Sequence, residues 1–95
     1  MKRERPYTVY ILECADGTYY TGITTHMKRR LSQHRDGKGA KYTRGRAPLH
    51  LRWMEEQESH SEALKREHEI KGMTRRQKIQ LIAERGMVDA ETEKF

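Results

Sequence analysis

Tyr10, Tyr20, Arg30, His34 and Glu67 are the residues whose types and spacing point to chemistry in this chain. Val9-Tyr10-Ile11 and Tyr20-Thr21-Gly22 are short apolar stretches that each carry a tyrosine; Arg30 follows Tyr20 by ten residues, and His34 follows Arg30 by four. Each stretch reads as a strand, and Asp16-Gly17 between them is a hairpin signal, which sets Tyr10 and Tyr20 on adjacent antiparallel strands. From Met27 the pattern turns helical, and residues four apart share one helix face. Two phenols, a guanidinium and an imidazole can therefore converge. Ala63, Glu67 and Ile70 are spaced i, i+4, i+7, so the Glu67 carboxylate falls in line with residues that face a core. A buried carboxylate needs a cation, a proton or a metal ion. On spacing alone, an internal salt bridge and a metal ligand both remain open.

Hydrolysis of a phosphodiester calls for groups of these kinds. A hard divalent cation such as Mg²⁺ or Mn²⁺ prefers oxygen ligands and keeps several waters, so one carboxylate, Glu67, plus phosphate oxygens could hold it. Arg30 can give a phosphate two hydrogen bonds and offset developing negative charge. His34 could hold Tyr10 in place or accept its proton.

The arrangement resembles the GIY-YIG nuclease domain over roughly residues 6 to 80. Thr8-Val9-Tyr10 stands where that family has Gly-Ile-Tyr, and Tyr20-Thr21-Gly22 stands for Tyr-Ile-Gly. Arg30 and His34 match the arginine and histidine positions, and Glu67 matches the metal-binding glutamate. The resemblance, which is nearest to small stand-alone bacterial members, implies an α/β (α+β type) domain with a three-stranded antiparallel sheet and about three helices. It also implies a Mg²⁺- or Mn²⁺-dependent endonuclease acting on DNA, with a tyrosine phenolate activating water. Tyr10 is taken as that base, activated by the basic helix beside it, and Tyr20 as the residue that positions water or phosphate. Two departures, Thr8 in place of glycine and the absence of any asparagine, support an alternative: a nucleic-acid-binding module of this fold that has lost catalysis. A protein-interaction domain is the third reading.

The distribution of charge points to the partner. Residues 26–46 hold eight Lys or Arg against the single acid Asp36, a net +7, while the other 74 residues hold 12 basic and 13 acidic groups. Clustered positive charge is the footprint of a polyanion, since neutralised phosphates release condensed counterions. Lys28, Arg29, Arg35, Lys38, Lys41, Tyr42, Thr43, Arg44 and Arg46 are the expected contacts to DNA, single-stranded or branched forms included. Tyr42 offers a surface for base stacking. Gly22 is expected to let the helix or a phosphate approach the strand closely.

These residues need a scaffold, and 95 residues supply one domain. The apolar fraction of 34% against 36% charged predicts a small core. Tyr7 to Glu13 is apolar on both faces, as a central strand covered on both sides would be, and Tyr19 to Ile23 pairs with it. Thr24 or Thr25 is expected to cap the next helix. A loop over 36–48 follows, and Leu49, Leu51 and Trp53 alternate with His50, Arg52 and Met54 as a third strand. Ser59 with Glu62 opens a helix that Gly72 closes; Thr74 with Gln77 opens another that Gly86 closes. The core is expected over about 6–86, with a frayed tail over 87–95. Cys14 is the sole cysteine, so no internal disulfide can form, and no apolar run approaches roughly 18 residues. A cytoplasmic protein is the expectation.

Overall fold

Strand β1, Tyr7–Glu13, forms the middle of the sheet because its residues are apolar on both faces, and Val9 to Leu12 are fully buried. The structure, a computed structural model, describes residues 6–84. Strand β2, Tyr19–Thr24, pairs antiparallel with β1 on one side, and strand β3, His50–Gln57, pairs antiparallel on the other, giving the order β2-β1-β3. The three-stranded antiparallel sheet and its flanking helices are those expected from the sequence. The β1–β2 connection turns at Gly17, whose φ of +84° suits a residue without Cβ. Asp16 Oδ1 secures it by accepting from the Thr18 amide at 3.1 Å and the Thr18 hydroxyl at 2.6 Å.

Helix α1, Met27–Arg35, lies against the face that carries Tyr10, Leu12, Cys14, Leu49 and Leu51, with Tyr20, Met27 and Leu31 packed on that cluster. His26 precedes it without a side-chain cap. Thr24, one of the two expected caps, instead accepts from the His26 amide at 3.0 Å, bracing the strand-to-helix turn rather than the helix's free amides. Helix α2, His60–Lys71, and helix α3, Arg75–Glu84, belong to the opposite face, where Val9, Ile11, Trp53, Ala63, Ile70 and Ile82 cluster. Ser59 caps α2 by accepting from the Glu62 amide at 3.1 Å. Thr74 and Gln77 form the full reciprocal box, at 2.8 and 3.1 Å. Gly86 and the tail 87–95 lie outside the described residues.

The third strand departs from simple alternation. Trp53 pairs with Ile11 but Leu51 pairs with Leu12, so Arg52 is an extra residue in a bulge. Leu49 and Leu51 therefore point to the α1 face, and Trp53 to the α2 face, where Arg66 lies over its ring at 5.5 Å. The bulge lets a strand with one apolar residue in two feed both cores. The loop expected over 36–48 contains a 3-10 turn, Lys41–Thr43, which matters for the site.

Candidate active site

Tyr10 is the hub of the site. It is fully buried, and its phenol oxygen lies in hydrogen-bond contact with His34 Nε2 at 2.9 Å and accepts from Arg30 Nε at 3.4 Å. The opposite strand makes room for it. Gly22 is the β2 partner of Tyr10, and a Cβ there would stand 2.6 Å from the Tyr10 hydroxyl and 3.0 Å from the Tyr20 ring. The close approach expected at Gly22 is thus made by the two tyrosines and not by a helix. Tyr20 is half-buried; its ring meets His34 edge-on at 5.5 Å and Tyr10 at 6.3 Å. Arg30 interacts with both phenols. Burial works against its charge, but hydrogen bonds and charge interactions with Tyr10 and Tyr20 outweigh it and hold the guanidinium above its ordinary pKa.

His34, 2% exposed, has both ring nitrogens engaged. Its Nδ1 is 2.9 Å from Thr43 Oγ1, and the Thr43 hydroxyl donates to the Ala40 carbonyl at 2.9 Å. A hydroxyl has one proton to give, so Thr43 accepts from Nδ1–H and Nε2 is left bare to receive Tyr10. The network runs in one direction, from Arg30 through Tyr10 to His34, Thr43 and Ala40.

Burial first, and the Arg30 charge second, depress the His34 pKa from 6.5 to about 4. Between these values the unfolded chain takes up a proton that the folded one refuses. Stability from neutral His34 is thus complete above pH 6.5 and is lost as pH falls toward 4, about 3 kcal/mol across the window. Urea unfolding at pH 7 and pH 4.5 should show that loss, and His34→Gln should flatten it. An unchanged pH dependence in His34→Gln would contradict the assignment. Tyr10 moves the other way, to about 12. Burial is the main cause, and Tyr20 and Glu67 add to it, against the lowering influence of Arg30. The expectation that the basic helix activates this phenol is therefore reversed: burial outweighs the single guanidinium that reaches it.

Glu67 comes from α2, on the far face, yet its charge is felt at the Tyr10 phenol. The β2 edge explains this. Helix α2 packs on β2, an edge strand, and a cavity of 270 Å³ is lined by Ile23, Thr24, His26, Arg29, Arg30 and Gln33, with Ile23 packed in the α2-side core and Arg30 reaching the Tyr10 phenol. A larger depression of 410 Å³ is lined by Gln57, Glu62, Lys65, Arg66, His68 and Glu69. It contains none of the converging groups, so the smaller cavity beside Arg30 is the candidate site. Glu67 is half-buried and pairs at 3.2 Å with Lys71, one turn along α2. Of the two partners left open by spacing, a cation on its own helix is in place. An i,i+4 pair with an exposed lysine is weak, on the order of 0.3–0.5 kcal/mol, and leaves the carboxylate available to a metal ion. Among the described residues no three His, Cys, Asp or Glu side chains cluster as a metal cage. One carboxylate suits a hydrated, oxygen-seeking cation and not zinc.

The basic segment divides in two. Lys28, Arg29, Lys38, Lys41 and Arg44 are exposed, and Arg35 reaches only Ser32 and Asp36. Arg46 and Tyr42, both reached by solvent, and the buried Thr43 also make contacts within the protein. Arg46 pairs with Asp16, donates to the Tyr42 carbonyl and lies over the Tyr42 ring at 4.3 Å, while that ring stacks on Tyr20 at 6.1 Å. Tyr42 is 41% exposed between Arg46 and Tyr20, so it keeps surface for a base to meet. Thr43, 2% exposed, is bonded to His34 and cannot serve as the surface contact expected of it. Gly39 was overlooked. A Cβ there would lie 2.4 Å from His34 Nδ1, a contact across the loop that no local pattern signals.

A sheet with paired tyrosines over an Arg–His helix and a glutamate on the next helix is the frame of a nuclease-like domain. The sequence matches the GIY-YIG catalytic domain over residues 6–80, and the chain belongs to that family. It is 57% identical over 74 residues to a UPF0213 protein of Halobacterium salinarum, covering 78% of this chain and 96% of that one. It is 52% identical over 77 residues to a UPF0213 protein of Staphylococcus aureus, covering 81% and 94%. The solution NMR structure of a UPF0213 protein from Bacillus halodurans aligns with a TM-score of 0.58 at 49% identity, covering 85% and 86% of the two chains. That of a protein from E. faecalis aligns with a TM-score of 0.61 at 43% identity, covering 86% and 88%. Among the described residues no helix is long and apolar enough to cross a membrane.

Proposed function

We propose that this protein is a divalent-metal-dependent nuclease that hydrolyses phosphodiester bonds in DNA. The observation that carries the reading is the meeting of Arg30 and His34 at the Tyr10 phenol, with Arg30 also lining an open cavity. Glu67 would hold Mg²⁺ or Mn²⁺, which when bound neutralises phosphate charge and acidifies water. Arg30 binds the phosphate and offsets charge on its oxygens as the water attacks.

The phenols divide the remaining work. Burial raises the Tyr10 pKa to about 12 and lowers that of His34 to about 4, so it works against moving the Tyr10 proton to His34. Burial favours the protonated form of Tyr10, which with His34 fixes the geometry. Tyr20, which solvent reaches and which Arg30 also contacts, is the phenol assigned to the attacking water. The burial that raises the Tyr10 pKa to about 12 also supports a second reading, a DNA-binding module without catalysis.

Two experiments test the proposal. Cleavage of single-stranded, duplex and branched DNA should require Mg²⁺ or Mn²⁺ and stop with chelator; no cleavage of any of them would favour the binding module. DNA affinity should fall with salt, log K dropping by roughly 0.7 to 0.9 per phosphate neutralised for each log unit of salt. Lys38→Ala or Lys41→Ala should each reduce that slope by up to about one unit. Affinity indifferent to salt would remove the basis for a polyanion partner.

A further inference from the structure

The loop between α1 and β3 is basic on the outside, but its inner side is built onto His34. The Thr43 hydroxyl is buried and anchored on the Ala40 carbonyl, and its lone pair faces His34 Nδ1. Gly39 lies so close to the imidazole that no Cβ fits, and the ring cannot give way without breaking bonds on both of its nitrogens. We propose that Thr43 is a positioning residue: it holds the His34 proton on Nδ1 and so presents the bare Nε2 to Tyr10.

The opposite tautomer would undo the network at two points. With its proton on Nε2, His34 would join Arg30 as a second donor to the Tyr10 oxygen, and the Tyr10 proton would lose its acceptor. Thr43 would have to turn its only proton from Ala40 to Nδ1. A buried donor or acceptor left without a partner is costly, so the threonine selects one proton position from two. Lys41 and Tyr42 precede Thr43 in the same three-residue turn, and exposed Arg44 follows it. The segment offered to phosphates is thus the segment that orients the histidine. The effect on rate rests on the nuclease reading, whereas the tautomer does not.

The test is ¹⁵N NMR of the imidazole nitrogens, with cleavage as the second readout. Wild-type His34 should carry its proton on Nδ1 alone. Thr43→Val, close in shape but lacking the hydroxyl, should give a mixed or reversed tautomer, and Thr43→Ser should restore the wild-type pattern. Cleavage by Thr43→Val should fall by up to about tenfold in kcat, no more than loss of the Tyr10 hydroxyl that the network serves, with KM little changed and Thr43→Ser recovering most of the rate. A wild-type proton on Nε2, or a Thr43→Val histidine still protonated only on Nδ1, would overturn the proposal. If Thr43→Val does not fold, the wild-type proton position decides alone. A protein that cleaves nothing while the tautomer follows Thr43 would refute the nuclease reading and leave this one standing.

Discussion

Glu67→Gln should abolish metal-dependent cleavage and leave the fold and DNA binding nearly intact. The substitution keeps side-chain volume and removes the one charge that the proposed site offers a cation. Its structural cost is small. Among the described residues Glu67 pairs with Lys71, itself more than half exposed, and such pairs contribute on the order of 0.3–0.5 kcal/mol. Loss of a metal's charge stabilisation, by contrast, removes several kcal/mol from the transition state, which is at least about 10²-fold in rate. Urea unfolding and DNA binding measured beside the cleavage rate separate the two effects. An unfolded Glu67→Gln would make the carboxylate a structural partner, and a folded variant cutting at the wild-type rate would take the metal away from it.

The second large effect divides the tyrosines. Tyr20→Phe should slow cleavage by roughly 10² to 10⁴-fold, the usual size of general-base catalysis. Tyr10→Phe should cost about tenfold, the worth of one hydrogen bond of roughly 0.5–1.5 kcal/mol, because the ring still fills its place over Gly22. Single-turnover rates of the two variants against pH decide the matter. Should Tyr10→Phe carry the larger loss and Tyr20→Phe the smaller, the roles are exchanged and Tyr10 is the base. If both cut normally, no tyrosine activates the water.

The division between what was legible and what was not follows the range of the interactions. β1 was readable because both faces of Tyr7–Glu13 are apolar, and the caps at Ser59 and Thr74 because each is completed within three residues. Arg30 and His34 were readable as one helix face because their spacing is local. Ala63-Glu67-Ile70 placed the carboxylate on the buried stripe of α2, where it is half-buried between two fully buried neighbours. Apart from the local Thr24 turn that replaces the expected helix cap, what was missed depends on chain segments meeting across the fold. The Arg52 bulge is defined only by pairing with β1, so Trp53 read as a neighbour of Leu51 and not of Ile11. Thr43 in a run of bases has the pattern of a surface contact, and only the return of the loop onto α1 buries it against His34. Arg46 resembles the other loop cations until Asp16, thirty residues earlier, is seen to hold it. The direction of the Tyr10 shift was misread for a related reason: charge is visible in a sequence, whereas full burial of one hydroxyl is not.

The most direct measurement is the single-turnover cleavage rate of branched and single-stranded DNA by the wild-type protein as Mn²⁺ is titrated, with Arg30→Ala and Glu67→Gln run from matched preparations. A rate that rises from zero, saturates with Mn²⁺, vanishes with chelator and is lost in both variants is the result predicted for a nuclease whose metal and phosphate sites are Glu67 and Arg30. Cleavage that persists in chelator or in either variant, or no cleavage of either substrate at any Mn²⁺ concentration, would contradict it.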